Sequence, residues 1–478
     1  VARPAFGGGD VVVRGSAPED TGFYIDGMTV PLIYHFGGLR AVVPTEFLED
    51  ITFFPGGFAV DYGRATGGVV DVRSRRDAAE RPTGHVDVNV FDAGLYFRAP
   101  AHELLTIEFG ARRSYIDAVL AAVADALPVS FDTAPRYWDY QLRASWRATD
   151  ATTIRLTGLG SDDRFDLVLD DEDELAPENR GGVFLHTAFH GAVLSVETRL
   201  SPSTTNEFRA QIQPNHFEFE FGEDLYFDLR FLNLQLRDTL RWEQSDMFAL
   251  RGGVEFFSTP GRISLSLPRP PKEGEEPLEF EAVDNIVARE RYAPATAAAF
   301  VAPEVEPVDG LRLLPGLRAE YFETTGQVAV DPRMAVRYQL SDAVTLKTAV
   351  SRHHQEPVAE EASSSFGNPD LRVENATHYI AGAELQVSEP ISVSVELFYK
   401  DLDSLVTRSS DTVERNGETV PEVYNNDATG RVYGFELLAR HALTSRLFGW
   451  VAYSLARSER LDPGAEDWRL FDFDQTHN

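Results

Sequence analysis

The 478-residue chain contains no cysteine, which excludes disulfide scaffolds, thiolate metal sites and cysteine nucleophiles. No stretch approaches the ~18 consecutive apolar residues of a membrane helix. Positive charge is scarce: 44 Lys and Arg stand against 76 Asp and Glu, a net charge of −32. Such a chain repels a phosphate backbone, so no nucleic-acid partner is expected. Catalytic signatures are missing as well. HExxH and GxxxxGK[ST] do not occur, and Ser16 and Ser114 have no nucleophile-elbow context. The reading is therefore of a non-enzyme with no catalytic residues, no cofactor and no resident metal. The start lacks a basic flank and an apolar core of a leader, and both ends read as cuts in a longer chain.

What the chain does have is alternation. In residues 205–213, Phe208, Ala210 and Ile212 oppose Glu207, Arg209, Gln211 and Gln213; in 231–242, Leu232, Leu234, Leu236, Leu240 and Trp242 oppose Asn233, Gln235, Arg237, Thr239 and Arg241. Residues 391–400 repeat the pattern. Period two with one apolar and one wet face means strands. Short turns near Ala101, Asp150, Pro202, Ser245, Asp309, Asp342, Glu389 and Thr444 alternate with longer connections over 162–182, 259–289, 355–371 and 401–426. Short turns at one end and long loops at the other are the pattern of an outer-membrane barrel. Roughly 17 strands plus the start of another are expected. Soluble propellers and sandwiches also alternate, but no internal repeat is present and the strand number is high for a sandwich. The residues after Ser114, rich in Ala, Leu and Val, predict a short helix over 115–127.

The first ~80 residues are Gly-rich and tightly turned, and read as a small α+β unit. They contain DVVVRGSAPEDTGFYIDGMTVP (10–31) and EFLEDITFFPGGFAVDYGRATGGVVDVRSR (46–75). The Arg14-Gly15 strand end, the Asp26-Gly27 turn and the run from Tyr62-Gly63 to Val72 resemble the plug domain of TonB-dependent outer-membrane receptors. Downstream, GNPDLRVENATHYIAGAEL (367–385), VYGFELLAR (432–440) and FDFDQTHN (471–478) resemble barrel motifs of the same family, in the same order.

The resemblance implies an all-β transmembrane barrel holding a small α+β plug in its lumen: plug 1–80, barrel 81–478, about 17–18 of an expected 22 strands present. It implies a cell outer membrane location in a Gram-negative bacterium, with lipid bilayer and lipopolysaccharide around the wall. TonB and the inner-membrane energising complex are the implied protein partners. A small-molecule ligand such as a metal chelate is the implied cargo, ferric siderophore being the commonest in the family. A barrel that transports nothing and binds a protein or builds a surface assembly stays open as the alternative.

Residues at the plug's outward apex, Tyr34, His35 and Phe36, together with Arg14, are the candidate ligand-binding set; packing against the wall is the competing reading for the aromatics. The wet-face cations Arg143, Arg209, Arg237, Arg241, Arg333 and Arg337, with Arg147 and Arg155, should point inward, because an Arg facing lipid costs ~2–4 kcal/mol at the midplane. Asp26, Glu46 and Asp61, with Glu49, Asp50 and Asp71, are their candidate partners on the plug. His353 and His354 beside Glu356 suggest a metal site or, more simply, a polar outer loop. The acid run from Asp162 to Glu174 suggests loose calcium binding or a solvated loop.

Overall fold

The computed structural model describes residues 2–4, 11–31, 33–36, 38, 40–116, 118, 133–167, 182–222, 225–267, 286–365, 367–415 and 417–478. A single antiparallel sheet, from Thr83–Val88 to Arg469–Leu470, curls into a barrel around a separate four-stranded sheet. The wall is built from the alternation. In Leu225–Ser245 the wet-face residues Asn233, Gln235 and Arg237 are 4–8% exposed, whereas Leu236 and Leu240 are 48% and 44% exposed. Polar side chains thus face the lumen and apolar ones face outward, the inverse of a soluble protein.

Twenty strand segments make the wall. Phe248–Ser258 and Gly261–Leu267 carry one continuous register against Leu225–Ser245, and the same holds for Ile286–Tyr292 and Ala295–Val308. Pro260 and Pro294 interrupt these ladders, since proline has no N–H to give. Each pair is one strand broken once, so the described wall amounts to seventeen strands and the two paired residues of Arg469–Leu470. The barrel is closed, with that last segment next to Thr83–Val88 in the strand order.

Two stretches expected as loops are strands. The hairpin Ile391–Arg415 and Glu418–His441 runs through 401–426, and Gly261–Leu267 with Ile286–Tyr292 occupies parts of 259–289. Likewise Asp162 and Asp163 lie within the strand Thr152–Leu167 rather than in a loop. These hairpins rise beyond the apolar band, where both faces meet water or each other. Of the expected helix over 115–127, only 115, 116 and 118 are described, and Asp170 to Glu174 also lie outside the described residues.

The inner sheet has the order Met28–Thr29, Thr21–Ile25, Gly68–Ser74, Leu48–Phe54. Its helical part, among the described residues, is two 3-10 turns, Pro18–Asp20 and Thr45–Phe47. The Asp26-Gly27 turn has both residues at positive φ (52° and 76°), the mirror-image hairpin turn that glycine makes accessible. The glycine has a second use: a Cβ there would stand 2.3 Å from Arg209 Nη1, so only a bare backbone can approach the wall so closely.

Candidate functional site

The inner sheet is bonded to the wall around most of the lumen. Arg143 donates to the Arg75 carbonyl at 2.7 Å and to Glu108 at 3.1 Å, with Asp26 at 3.9 Å. Arg237 and Arg251 reach Asp61 at 3.3 and 2.7 Å. Among the described residues Arg333 takes no carboxylate from the inner domain; its Nη1 donates to the carbonyls of Phe58, Ala59 and Tyr62 at 3.2, 2.7 and 2.8 Å. Glu46 pairs with His85 of the first wall strand at 3.3 Å. A cavity of about 490 Å³ between sheet and wall brings Asp26, Asp61 and Asp71 opposite Arg209, Arg237 and Arg241.

Other expected partners stay apart. Arg209 is held by Glu207, Arg241 by Glu243 and Glu304, Arg337 by Glu384 and Arg155 by Glu197, all within the wall. Asp71 serves Tyr62 and Arg73 inside its own domain, while Glu49 and Asp50 are exposed. His353 and His354 do not share a site. His353 is fully buried against Phe58 and His378, and His354 pairs with Asp331. They are lumen groups, not a solvated loop.

The most buried contacts are ones the sequence does not announce. Arg318 is 0% exposed; it donates to Glu320 at 2.6 Å, Glu255 at 3.2 Å and the Val60 carbonyl at 3.2 Å. Glu255 also accepts from Arg64 of the inner domain at 2.7 Å. Lys400 donates to the Gly67 carbonyl at 2.6 Å, and His378 contacts the Thr66 carbonyl at 2.8 Å. Partners that are backbone carbonyls leave no mark on composition; only the inward parity of Arg318 and Lys400 could have flagged them.

At the apex, Tyr34 packs on an apolar cluster that includes Phe189 and Val193 of the wall. His35 is fully buried, stacked on Tyr137, with its two ring nitrogens 3.0 Å from Asp139 and 2.7 Å from Asp163. Burial alone would favour neutral His35, but the hydrogen bonds and charges of Asp139 and Asp163 outweigh it and raise its pKa. Phe36 meets Tyr137 edge-on at 6.2 Å and remains partly open. Arg14 lies over Phe398 at 4.1 Å, and its Nη2 is shared by Glu396 and Glu436. Arg14→Ala should therefore loosen the inner domain by about 1–3 kcal/mol, the cost of stranding hydrogen-bonded groups. Limited proteolysis of the folded barrel reads this, and Arg14→Lys should restore only part, lacking the fork.

A smaller, acidic cavity adjoins another part of the plug. About 90 Å³ in volume, it lies between the Pro18–Asp20 turn, loop 356–373 and the wall. Glu19, Asp20, Glu356, Glu361 and Glu374 line it, with Arg460 as the one lining cation. Burial raises the pKa of Asp20 against the pull of Arg460, Thr66 and Lys400. Asn368 of the Asn-Pro motif fastens the loop, accepting from Arg415 at 2.6 Å and donating to the Tyr424 carbonyl at 2.7 Å.

A barrel of long antiparallel strands, filled by a small domain bonded to its lumen, is a plugged outer-membrane receptor. The comparisons agree. The plug-domain profile of TonB-dependent receptors matches residues 1–69, and the TonB-dependent receptor-like β-barrel profile matches 132–473. The chain belongs to the TonB-dependent receptor family, whose members are outer-membrane barrels of Gram-negative bacteria. Similar solved structures include the outer-membrane transporter YddB of Escherichia coli (TM-score 0.71, 13% identity, 94% of this chain and 71% of that one). The siderophore receptor PirA of Acinetobacter baumannii gives 0.70 and 16%, covering 96% and 76%. A mutant of the ferric enterobactin receptor PfeA of Pseudomonas aeruginosa gives 0.69 and 15%, covering 98% and 80%. No curated protein sequence matches the chain.

Proposed function

We propose that this receptor carries out energised uptake of a scarce ligand, a ferric siderophore, across the outer membrane of a Gram-negative bacterium. The observation that carries the reading is the seated plug: a lumen bonded to its cork by Arg64–Glu255, Arg237–Asp61 and Arg333 cannot pass a chelate without rearrangement. The outer membrane has no ATP, so the work comes through TonB from the inner-membrane energising complex. Ligand bound from outside shifts the plug's equilibrium by its differential affinity for the two states. Tyr34 and Phe36 are the proposed outward pair, His35 acting through Asp139 and Asp163 to fix the apex, while the buried Arg14 fastens the plug to the wall through Glu396 and Glu436.

The charge of the chain refines the cargo. A net charge of −32 disfavours a multiply anionic catecholate chelate and suits a neutral or cationic one, such as a ferric trihydroxamate. A strain lacking the gene should fail to grow with a neutral ferric trihydroxamate as sole iron source, and the full-length gene should restore growth. Binding to the purified receptor should favour that chelate over a ferric catecholate by at least about tenfold, or ~1.4 kcal/mol. The reverse preference would reject the charge argument alone; growth indifferent to the gene would reject uptake and favour a surface-assembly role.

A further inference from the structure

The outer face of the wall carries a cluster that a plugged barrel does not need. On Val183–Ser201, Thr204–Phe221 and Leu225–Ser245 the even-numbered residues face outward, as Leu194, Ile212 and Leu236 (38%, 52% and 48% exposed) establish. The registers continue without a bulge past these residues, so the same face persists above the apolar band. There His186, Glu218 and Asp228 stand directly opposite one another on the three neighbouring strands. His216, two residues before Glu218, falls on the same side.

The side chains converge. Glu218 Oε2 is 3.4 Å from His216 Nε2 and 3.8 Å from His186 Nδ1. Asp228 Oδ1 is 3.1 Å from the same His216 nitrogen. One ligand atom from each of His186, His216 and Glu218 fits within 4.8 Å of the others. Behind the cluster, Asp162 Oδ2 lies 3.1 Å from His186 Nε2. An ionised carboxylate only accepts, so Nε2 carries the proton and Nδ1 turns its lone pair toward Glu218. This is the outer-partner arrangement that orients a metal-bound histidine.

We propose that His186, His216 and Glu218 bind one divalent transition-metal ion of the zinc class on the outside of the barrel, with Asp228 as the neighbouring fourth ligand. Two imidazoles with one or two carboxylates suit zinc, nickel or copper. Calcium and magnesium require a larger set of oxygens. Tetrahedral ligands at ~2.0–2.2 Å from zinc are separated by about 3.3 Å, close to the spacing around Glu218 Oε2. Arg230 holds Asp228 at 2.9 Å and balances its charge where Asp228 is not a ligand. An ion here ties three neighbouring strands together where they leave the lipid.

The test uses the purified receptor in detergent, carrying a tag without histidine, stripped by chelator and titrated with Co²⁺ and then Zn²⁺. One cobalt per chain is expected, with d–d absorption of nitrogen–oxygen coordination that zinc displaces. His186→Ala and His216→Ala should each weaken zinc binding by more than the ~10–100-fold expected of the outer-partner variant Asp162→Asn. His190→Ala, on the same face but outside the cluster, should bind as the parent does. Heat-modifiable migration in a gel confirms that each variant is folded. Absence of stoichiometric cobalt binding, or binding that survives in the folded His186→Ala/His216→Ala double variant, overturns the proposal.

Discussion

Glu255→Ala is expected to unseat the plug while the barrel stays folded. Glu255 is 6% exposed and accepts from Arg64 on the plug at 2.7 Å, and from Arg318 and Gln235 on the wall at 3.2 and 3.1 Å. Arg318 keeps Glu320 when Glu255 is lost, but Arg64 keeps only its stacking over Phe257 at 4.0 Å. Burial presses Arg64 toward losing its proton, and the charge of Glu255 more than restores it. Removing one partner of a buried pair costs about 3–5 kcal/mol because the other charge is left dry. Arg64 escapes that cost only by leaving the wall, so the penalty falls on the seated plug. At ~1.4 kcal/mol per decade, the unseated population should rise at least about 100-fold. The absence of native cysteine makes this measurable: a thiol placed at the buried Thr66 would be the chain's only one. Its labelling rate should rise in Glu255→Ala and fall back in Arg64→Ala/Glu255→Ala, where no charge is orphaned. Equal labelling in all three proteins, each still heat-modifiable, would mean that this pair does not hold the plug.

How far such contacts can be read from sequence depends on what surrounds a strand. Where one face meets lipid and the other the lumen, alternation is enforced, and Leu232 to Trp242 displays it openly. Above the lipid that contrast disappears and even reverses. Phe217 and Phe219 share parity with the inward Gln213 and Asn215, while His216 and Glu218 share parity with the outward Ile212. Residues 401–426 therefore read as a loop although they pair as a hairpin. The plug was legible through its turn glycines, which positive φ demands. Its docking was legible only as inward arginines. That Arg333 would bind carbonyls, and that His35 would meet Asp139 and Asp163 from more than a hundred residues away, are facts of three-dimensional closure.

The second large effect is one of pH. Glu361, in the loop between Val344–Gln355 and Glu374–Ser388, has its carboxyl pushed up to about 8 from an ordinary 4.5, first by burial and then by the charge of Glu360. The Val358 N–H, donating at 3.1 Å, pulls the other way. Across the cavity it faces Glu19 and Asp20 of the plug, Glu356 of its own loop, and Glu374 and Arg460 of the wall. A carboxyl whose pKa is raised in the docked loop favours docking while it stays protonated. That contribution is complete below pH ~4.5, is lost at up to ~1.4 kcal/mol per pH unit as pH rises, and is gone above pH 8. Amide exchange in 356–371, corrected for intrinsic rates, should therefore quicken by up to roughly 100-fold between pH 6 and pH 8. Glu361→Gln should flatten this dependence and keep the loop protected at pH 8. A neutral or cationic chelate that binds against this loop and draws a charged carboxylate should release protons near pH 7. Calorimetry in two buffers of different ionisation heat would show that release in the parent protein and a smaller one in Glu361→Gln; identical proton counts would separate Glu361 from ligand recognition.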